Sequence, residues 1–248
     1  MSIFGGCLDV TIPDMKRMFD TNFWGTVHGS RTAARHFIDR GAPGALVNVG
    51  SVFGDRATPV QSTYSASKFA LHGWTDALRM ELERERAPVS VTLIHPGRID
   101  TPYNEHARSY MAKQPAHRGM IYPPESVAEA ILHAAEHPIR DIFVGSQAKL
   151  AAIAGGVAPR LMDRLMEAYM WWSQTADRPS RGREDNALYR PGFGLRERGT
   201  HAGWVRGRSL TVEAAKHPVL AGLAVTGLGL ALGGALRRPA PPPRRGRS

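Results

Sequence analysis

Tyr64-Ser-Ala-Ser-Lys68 is the stretch on which the interpretation of this chain depends. It stands where a loop containing glycine and proline gives way to a helical pattern that runs to about Arg86. Tyr64 and Lys68 are four residues apart, so on a helix their side chains are neighbours on one face. Because a nearby ammonium stabilises a phenolate, we expect Lys68 to lower the pKa of Tyr64 from its ordinary value of ~10. Such a phenol can donate or accept a proton at an alcohol or carbonyl centre.

Other polar residues stand at positions that fit the same site. Ser51 follows the apolar run 45–49, which is bounded by glycines and is typical of a buried parallel strand. The carboxyl ends of such strands form the ligand crevices of open α/β sheets. Asn22 lies in a segment whose apolar residues recur at three- and four-residue spacing from Ile12, which predicts a helix. We interpret His95 as structural and predict no metal, because no second histidine or acid stands at ligand spacing.

Four motifs in register resemble the classical short-chain dehydrogenase/reductase family. They are Asn22-Phe-Trp-Gly-Thr26, Asn48-Val-Gly-Ser51, Tyr64-Ser-Ala-Ser-Lys68 and His95-Pro-Gly-Arg-Ile-Asp-Thr101-Pro, and the resemblance covers roughly residues 8–146. It implies an α/β fold that contains the C-terminal part of a Rossmann-type, doubly wound parallel sheet. The strands near 45–50, 89–95 and 140–145 would be parallel, with one sheet edge open beside the first of them.

The resemblance also implies an activity and a role for each motif residue. A member of this family passes hydride between a nicotinamide and the carbonyl or secondary alcohol carbon of a small molecule. Tyr64 would be the acid/base, and Lys68 would lower its pKa and hold the cofactor ribose. Ser51 would hydrogen-bond the substrate oxygen, and Asn22 would anchor a water that links Lys68 to solvent. The implied cofactor-binding set is Tyr64, Lys68, Pro96, Gly97, Ile99 and Thr101. Family members often pair through the two long helices, which implies a homo-oligomer.

One family feature has no counterpart in this sequence. Family members open with a strand, a glycine-rich turn and a helix that hold the cofactor pyrophosphate. Gly5-Gly6 is not a G-x-G-x-x-G pattern and follows no strand. The choice between NAD and NADP stays open, because the selecting segment is missing, and we expect an in-frame strand-turn-helix upstream of Met1. The rival interpretation is non-enzymatic: an inactive fragment, or a membrane-associated scaffold, that cannot bind the dinucleotide.

The composition divides the chain into three regions. Residues 1–147 would form the partial catalytic domain, 148–215 a helical and irregular extension, and 216–248 an apolar helix with a basic tail. Within the first region, residues 103–123 are polar and correspond to the family's substrate-covering loop.

Two segments of the extension differ in pattern. Residues 159–172 predict an amphipathic helix, whose apolar stripe would pack on the core, cover an apolar substrate or face a membrane. Residues 175–209 are rich in arginine, glycine and proline, and we expect them to be irregular.

Pro218 to Leu236 is an uncharged run that is just long enough for a bilayer span. It contains Gly229-Leu-Ala-Leu-Gly233, a G-x-x-x-G spacing. A transmembrane helix is one interpretation, but basic residues on both sides conflict with the positive-inside tendency. A helix in the membrane interface or a shallow hairpin avoids that conflict, and a buried or partner-binding helix is the alternative. A membrane surface is therefore a candidate partner for residues 218–247.

Bulk composition excludes other classes. The formal net charge is +10, but much of the excess lies in arginines after Leu236, without the interleaved aromatic residues of a base-stacking surface. We therefore predict no nucleic-acid partner. A single cysteine, Cys7, excludes an internal disulfide framework, and the first residues do not read as a signal peptide. These features predict a cytoplasmic protein, membrane-associated if the apolar run reaches a bilayer.

Overall fold

The computed structural model describes residues 1–194 and 196–236. Its strands are β1 (Ile3–Phe4), β2 (Gly44–Val49), β3 (Val89–Pro96), β4 (Arg108–Ser109), β5 (Lys113–Pro115), β6 (Asp141–Val144) and β7 (Thr175–Pro179). Its helices are α1 (Ile12–Phe19), α2 (Gly25–Arg40), α3 (Ser62–Arg84), α4 (Tyr103–His106), α5 (Pro124–Glu136), α6 (Ser146–Val157), α7 (Pro159–Ser173), α8 (Leu210–Lys216) and α9 (Pro218–Leu236). The chain forms one compact unit from Met1 to Val212 and a second from Glu213 onward. The three regions drawn from composition stay a prediction.

A parallel sheet in the order β2-β3-β6 lies at the centre of the first unit. Leu46 pairs with Val91 across the first ladder, and Ile94 pairs with Ile142 across the second. The α/β class and the three parallel strands are therefore confirmed. Within the described residues β2 is an edge strand of this sheet, which also agrees with the sequence. Since the strands are parallel, their carboxyl ends meet at one edge, where a site can form.

Two long helical segments pack on this sheet. α1 runs into α2 through a π-helical turn, Asp20–Trp24, which holds Asn22 in a buried position. α2 ends at Gly41, whose φ of 65° is the left-handed conformation that glycine adopts at helix ends. The helices bury a cluster against β3 that consists of Ala34, Leu78, Leu82, Val89 and Val91. This packing fixes α3, and with it the Tyr64 pair, beside the end of β2.

The extension is more ordered than the sequence predicted. α7 confirms the amphipathic helix, whereas the expectation that residues 175–209 are irregular is wrong for β7. β7 pairs antiparallel with β5, which lies in the segment that we expected to be a covering loop. The sequence of β7 has no apolar alternation, so only backbone pairing with a distant strand decides its conformation.

The second unit contains α9, which begins and ends where the uncharged run does. Across the part of the chain that is described, no helix combines the length and the apolar character needed to cross a membrane. The transmembrane interpretation is therefore not supported, and association with a membrane surface stays a prediction. The arginines on which its basic flank depends, from Arg237 onward, lie outside the described residues.

Candidate active site

A cavity of about 510 Å³ opens at the carboxyl ends of β2 and β3. Most of the site residues expected from the sequence line it: Ser51, Tyr64, Lys68, Pro96, Gly97, Ile99 and Thr101. Ser51 follows β2 and caps a short 3₁₀ turn, where its hydroxyl oxygen accepts a hydrogen bond from the backbone N–H of Phe53 at 3.2 Å. Tyr64 and Lys68 come from the first two turns of α3. Pro96 is the last residue of β3, and Gly97, Ile99 and Thr101 come from the turn that follows it.

Tyr64 is buried, and its ring packs edge-to-face on the rings of Phe53 and Tyr103, with 6.4 and 5.7 Å between centroids. Burial raises the pKa of Tyr64 above its ordinary value, and the neighbouring side chains of Ser51 and Tyr103 offset only part of that rise. The expectation that Lys68 lowers this pKa is therefore wrong in direction. The Lys68 amine lies 5.8 Å from the centroid of the Tyr64 ring, but exclusion of water from the phenol dominates. Tyr64 thus keeps its proton at neutral pH.

Lys68 is half-buried in the cavity wall, and desolvation lowers its pKa to about 8. Its amine donates a hydrogen bond to the backbone carbonyl of Val49 at 2.9 Å, which holds the side chain across the end of β2. With this pKa the amine is still mostly protonated at neutral pH, although it titrates within reach of physiological conditions.

Asn22 lies behind the cavity rather than on its wall. Its amide nitrogen donates to Ser67 Oγ at 3.2 Å and to the Met1 carbonyl at 3.0 Å. Its amide oxygen accepts from the Met1 amino group at 2.9 Å. Asn22 is therefore linked to the site by its hydrogen bonds to Met1 and to Ser67, which precedes Lys68 in the sequence.

Three aromatic residues that the sequence did not single out also line the cavity: Phe53, Tyr103 and His117. Tyr103 accepts a hydrogen bond from Gln61 Nε2 at 2.8 Å, and burial raises its pKa well above the ordinary value. Its ring stacks on His117 with 5.8 Å between centroids. Burial, followed by the charges of Arg98 and His201, lowers the pKa of His117 to about 3. A neutral imidazole therefore adjoins Tyr64 and Tyr103, and the available signal was the position of Tyr103 two residues after Thr101.

The turn that carries Ser51 is held from behind by His72 on α3. The backbone N–H of Ser51 donates to His72 Nε2 at 3.3 Å, so the proton of a neutral His72 ring must sit on Nδ1. That nitrogen faces Asp55 Oδ1 at 3.2 Å. Gly50 permits this approach, because a Cβ at position 50 would lie 2.3 Å from His72 Nε2.

The same carboxylate continues into a buried network through His95. Asp55 Oδ2 lies 2.8 Å from His95 Nδ1, and Asp141 Oδ1 lies 3.2 Å from His95 Nε2. Carboxylate oxygens only accept, so an imidazolium, which donates from both ring nitrogens, would satisfy both contacts. Burial lowers the pKa of His95, but the hydrogen bonds that its ring donates to Asp141 and Asp55 more than reverse this, and the net pKa is raised.

His95 therefore has acidic partners that the sequence analysis did not find. In the described part of the chain, Asp55, His72 and His95 form a group whose potential metal-ligand atoms lie within 4.8 Å of one another. The spacing of these residues along the chain does not indicate the group, because they come from a loop, a helix and a strand. The hydrogen bonds above account for the facing atoms of all three residues.

Comparisons with known proteins agree with this geometry. Residues 1–112 match the family model described as short chain dehydrogenase. The chain is 64% identical over 229 residues to YxnA, an uncharacterised oxidoreductase of Bacillus subtilis strain 168, covering 92% of this chain and 64% of that protein. It is 31% identical over 137 residues to YbbO, an uncharacterised oxidoreductase of Escherichia coli K12, covering 53% of this chain and 50% of that protein.

Among solved structures, a short chain dehydrogenase from Burkholderia cenocepacia J2315 in complex with NADP superposes with a TM-score of 0.55. It is 22% identical, with 67% of this chain and 65% of that chain covered, and so shows the shared fold. The motifs, the fold and these relatives agree with one another. The chain is similar to short-chain dehydrogenases over residues 1–112, and to oxidoreductases such as YxnA over most of its length. It spans 64% of the length of YxnA and 50% of the length of YbbO.

Proposed function

We propose that this chain acts in an NAD(P)-dependent oxidoreductase that interconverts a carbonyl and a secondary alcohol by hydride transfer. One observation carries the proposal. Tyr64 and Ser51 line one cavity together with Lys68, Pro96, Gly97 and Thr101. A proton donor, a second hydroxyl and an ammonium thus line one cavity, as proton transfer to an oxygen that gains negative charge requires.

The two hydroxyls have complementary tasks at the substrate oxygen. Tyr64 is protonated at neutral pH because of its raised pKa, so it is ready to give its proton to that oxygen as a carbonyl is reduced. Ser51 already accepts a hydrogen bond from the Phe53 N–H. Its own hydroxyl proton is therefore available to donate to the same substrate oxygen and to orient it. In the reverse direction the alcohol proton returns to Tyr64.

The cavity also offers groups that fit a nicotinamide riboside. NAD or NADP, when bound, would supply or accept the hydride. The Lys68 ammonium can donate to ribose hydroxyls, and the Thr101 hydroxyl can bond a carboxamide, while Pro96 and Gly97 lie along the same wall. Val127 and Ile131 from α5 contribute apolar surface on which a flat ring can pack. Both dinucleotides stay candidates.

Kinetics and binding of Tyr64 and Lys68 variants test the proposal. The protein is produced with whatever in-frame sequence its gene encodes upstream of Met1, and NADH and NADPH are titrated by fluorescence. Turnover is then followed with a panel of ketones. Tyr64→Phe should lower kcat by about 10²-fold or more and leave the dinucleotide Kd nearly unchanged. Lys68→Met should both lower kcat and weaken dinucleotide binding. Tyr189→Phe is the matched control, because the Tyr189 hydroxyl bonds Asp14 at 2.7 Å and Tyr189 does not line the cavity.

Two outcomes would overturn the proposal in different ways. Full turnover by Tyr64→Phe would remove Tyr64 as the acid/base while leaving the reaction class intact. A protein that binds neither NADH nor NADPH would favour the non-enzymatic interpretation. The homo-oligomer stays a prediction, supported by exposed Phe69 and Met80 on α3. The cytoplasmic location and the contact of residues 218–247 with a membrane surface likewise stay predictions.

A further inference from the structure

A second cavity, of about 480 Å³, borders the candidate active site. The two cavities share Phe53, Gly97 and Arg98 as wall residues. Phe53 follows Ser51 by two residues and its ring packs edge-to-face on Tyr64, with 6.4 Å between the centroids. A molecule whose oxygen lies at Tyr64 can therefore continue past Phe53 into the second cavity.

The second cavity is apolar, and α7 forms much of its wall. Four of its wall residues are methionines, and a leucine stands among them: Met120, Met162, Leu165, Met166 and Met170. Methionine is unbranched and adapts its shape, so a methionine-rich wall accepts chains of differing length and path. The volume lies within the range of ~300–1,000 Å³ that is typical of small-molecule sites.

The cations at the wall of this cavity are bonded to the protein itself. Arg98 donates to the Arg118 carbonyl at 2.7 Å, to Ser173 Oγ at 2.8 Å and to the Tyr169 hydroxyl at 3.1 Å. Arg56 forms an ion pair with Asp163. Because these guanidinium groups already have partners, the cavity favours a neutral ligand over an anionic one.

We propose that this second cavity binds the apolar chain of the substrate. The substrate class is then a neutral ketone, or the matching secondary alcohol, that carries an unbranched alkyl chain. Its oxygen lies at Tyr64 and Ser51, and its chain passes Phe53 and Gly97 to the methionines. This inference rests on the proposed function and extends it, since it assigns α7 as the wall that selects substrates by chain length.

A binding experiment tests the cavity without requiring turnover. The full chain is labelled with methyl-¹³C methionine and titrated with 2-decanone and, separately, with 2-butanone. The methyl signals of Met162 and Met166 should shift with 2-decanone at concentrations where 2-butanone has little effect. Met80 is the internal reference, because it is 62% exposed and does not line the cavity. Equal shifts at Met80 and Met166 would show non-specific association and overturn the proposal.

A kinetic series then tests selection by chain length. From 2-butanone to 2-decanone, kcat/KM should rise by about three- to fourfold for each methylene that enters the cavity. Met166→Gln should flatten this rise, and Met166→Leu should restore it, which separates a binding role from loss of folding. Leu161→Gln is the matched control, because Leu161 is 59% exposed on the same helix and does not line the cavity.

The outcomes of the two experiments separate this proposal from the proposed function. Selective methionine shifts without turnover would support the cavity and count against the oxidoreductase proposal. Turnover that is independent of chain length, with no selective methionine shift, would overturn the cavity proposal and leave the oxidoreductase proposal standing. Shifts confined to methionines outside the cavity would likewise overturn the cavity proposal.

Discussion

Replacing His95 with glutamine tests whether the buried imidazole carries a charge. His95 bridges Asp55 and Asp141 through contacts of 2.8 and 3.2 Å. Its pKa is raised by these carboxylates against the effect of burial. For both acids, burial raises the pKa, but hydrogen bonds to histidine more than reverse it and the net pKa is lowered. Glutamine has a similar reach and can keep a neutral hydrogen bond, but it cannot keep the charge.

The expected loss in the free energy of unfolding follows from the burial of the His95, Asp55 and Asp141 side chains. The His95 side chain is 5% exposed, and those of Asp55 and Asp141 are 19% and 21% exposed, so solvent screens these contacts only partly. A hydrogen bond to a charged group contributes ~1.5–3 kcal/mol, against ~1 kcal/mol for a neutral one. Asp55 keeps His72 and Asp141 keeps Arg140 in the variant. His95→Gln should therefore lower the free energy of unfolding by about 2–3 kcal/mol where the imidazole is charged.

The stability difference between wild type and His95→Gln should change with pH in a definite direction. A group with a raised pKa stabilises the fold fully below its unfolded pKa, ~6.5 for histidine, and this contribution is lost as pH rises through the folded pKa. Asp55 and Asp141 have lowered pKa values in the folded protein. Their contribution to stability is therefore fully present above their unfolded pKa values, and it is lost only as pH falls through their folded pKa values. The difference between wild type and His95→Gln should thus be largest between about pH 5 and pH 6 and should shrink as pH rises through the folded pKa of His95.

Urea unfolding followed by circular dichroism at about pH 5.5 and about pH 9 measures that difference. His36→Gln is the control, because His36 is an exposed histidine on α2. Its substitution should change stability by less than ~0.5 kcal/mol at either pH. If His95→Gln lowered the free energy of unfolding by more at about pH 9 than at about pH 5.5, the bridging imidazole would not be the charged partner and the reasoning would be refuted.

Further expectations concern the turn behind the site and the attachment of α7. Gly50→Ala should destabilise the fold by ~1–3 kcal/mol in urea unfolding, because its Cβ would lie 2.3 Å from His72 Nε2. Gly73→Ala, at a helical position where a Cβ meets nothing within 4 Å, should instead stabilise it by ~0.5–1 kcal/mol. Arg98→Ala removes the bonds that hold the end of α7, so amide exchange over residues 169–173 should quicken by about tenfold or more while β3 stays protected. Unchanged exchange there would show that α7 is held by other contacts.

The features that the sequence predicted are local ones. The apolar runs and their glycine boundaries located β2 and β3, and three- and four-residue spacing located the helices. The four-residue separation of Tyr64 and Lys68 placed both side chains on one helix face. Ser51 at a strand end then had to lie near them, because parallel strands end at a common edge. Each of these inferences uses only the period of a helix or a strand, which is a property of neighbouring residues.

Other features were decided by contacts between distant residues. His95 acquires partners 40 and 46 positions away along the chain, and its ionisation follows from them. The pKa of Tyr64 rises rather than falls, because burial outweighs the effects of Ser51 and Tyr103, and no sequence pattern reports how completely water is excluded. The apolar cavity likewise exists only because α7 packs beside the turn after β3. Sequence therefore determined which groups are present and which helix or strand carries each, whereas tertiary packing determined their solvent exposure and their charge.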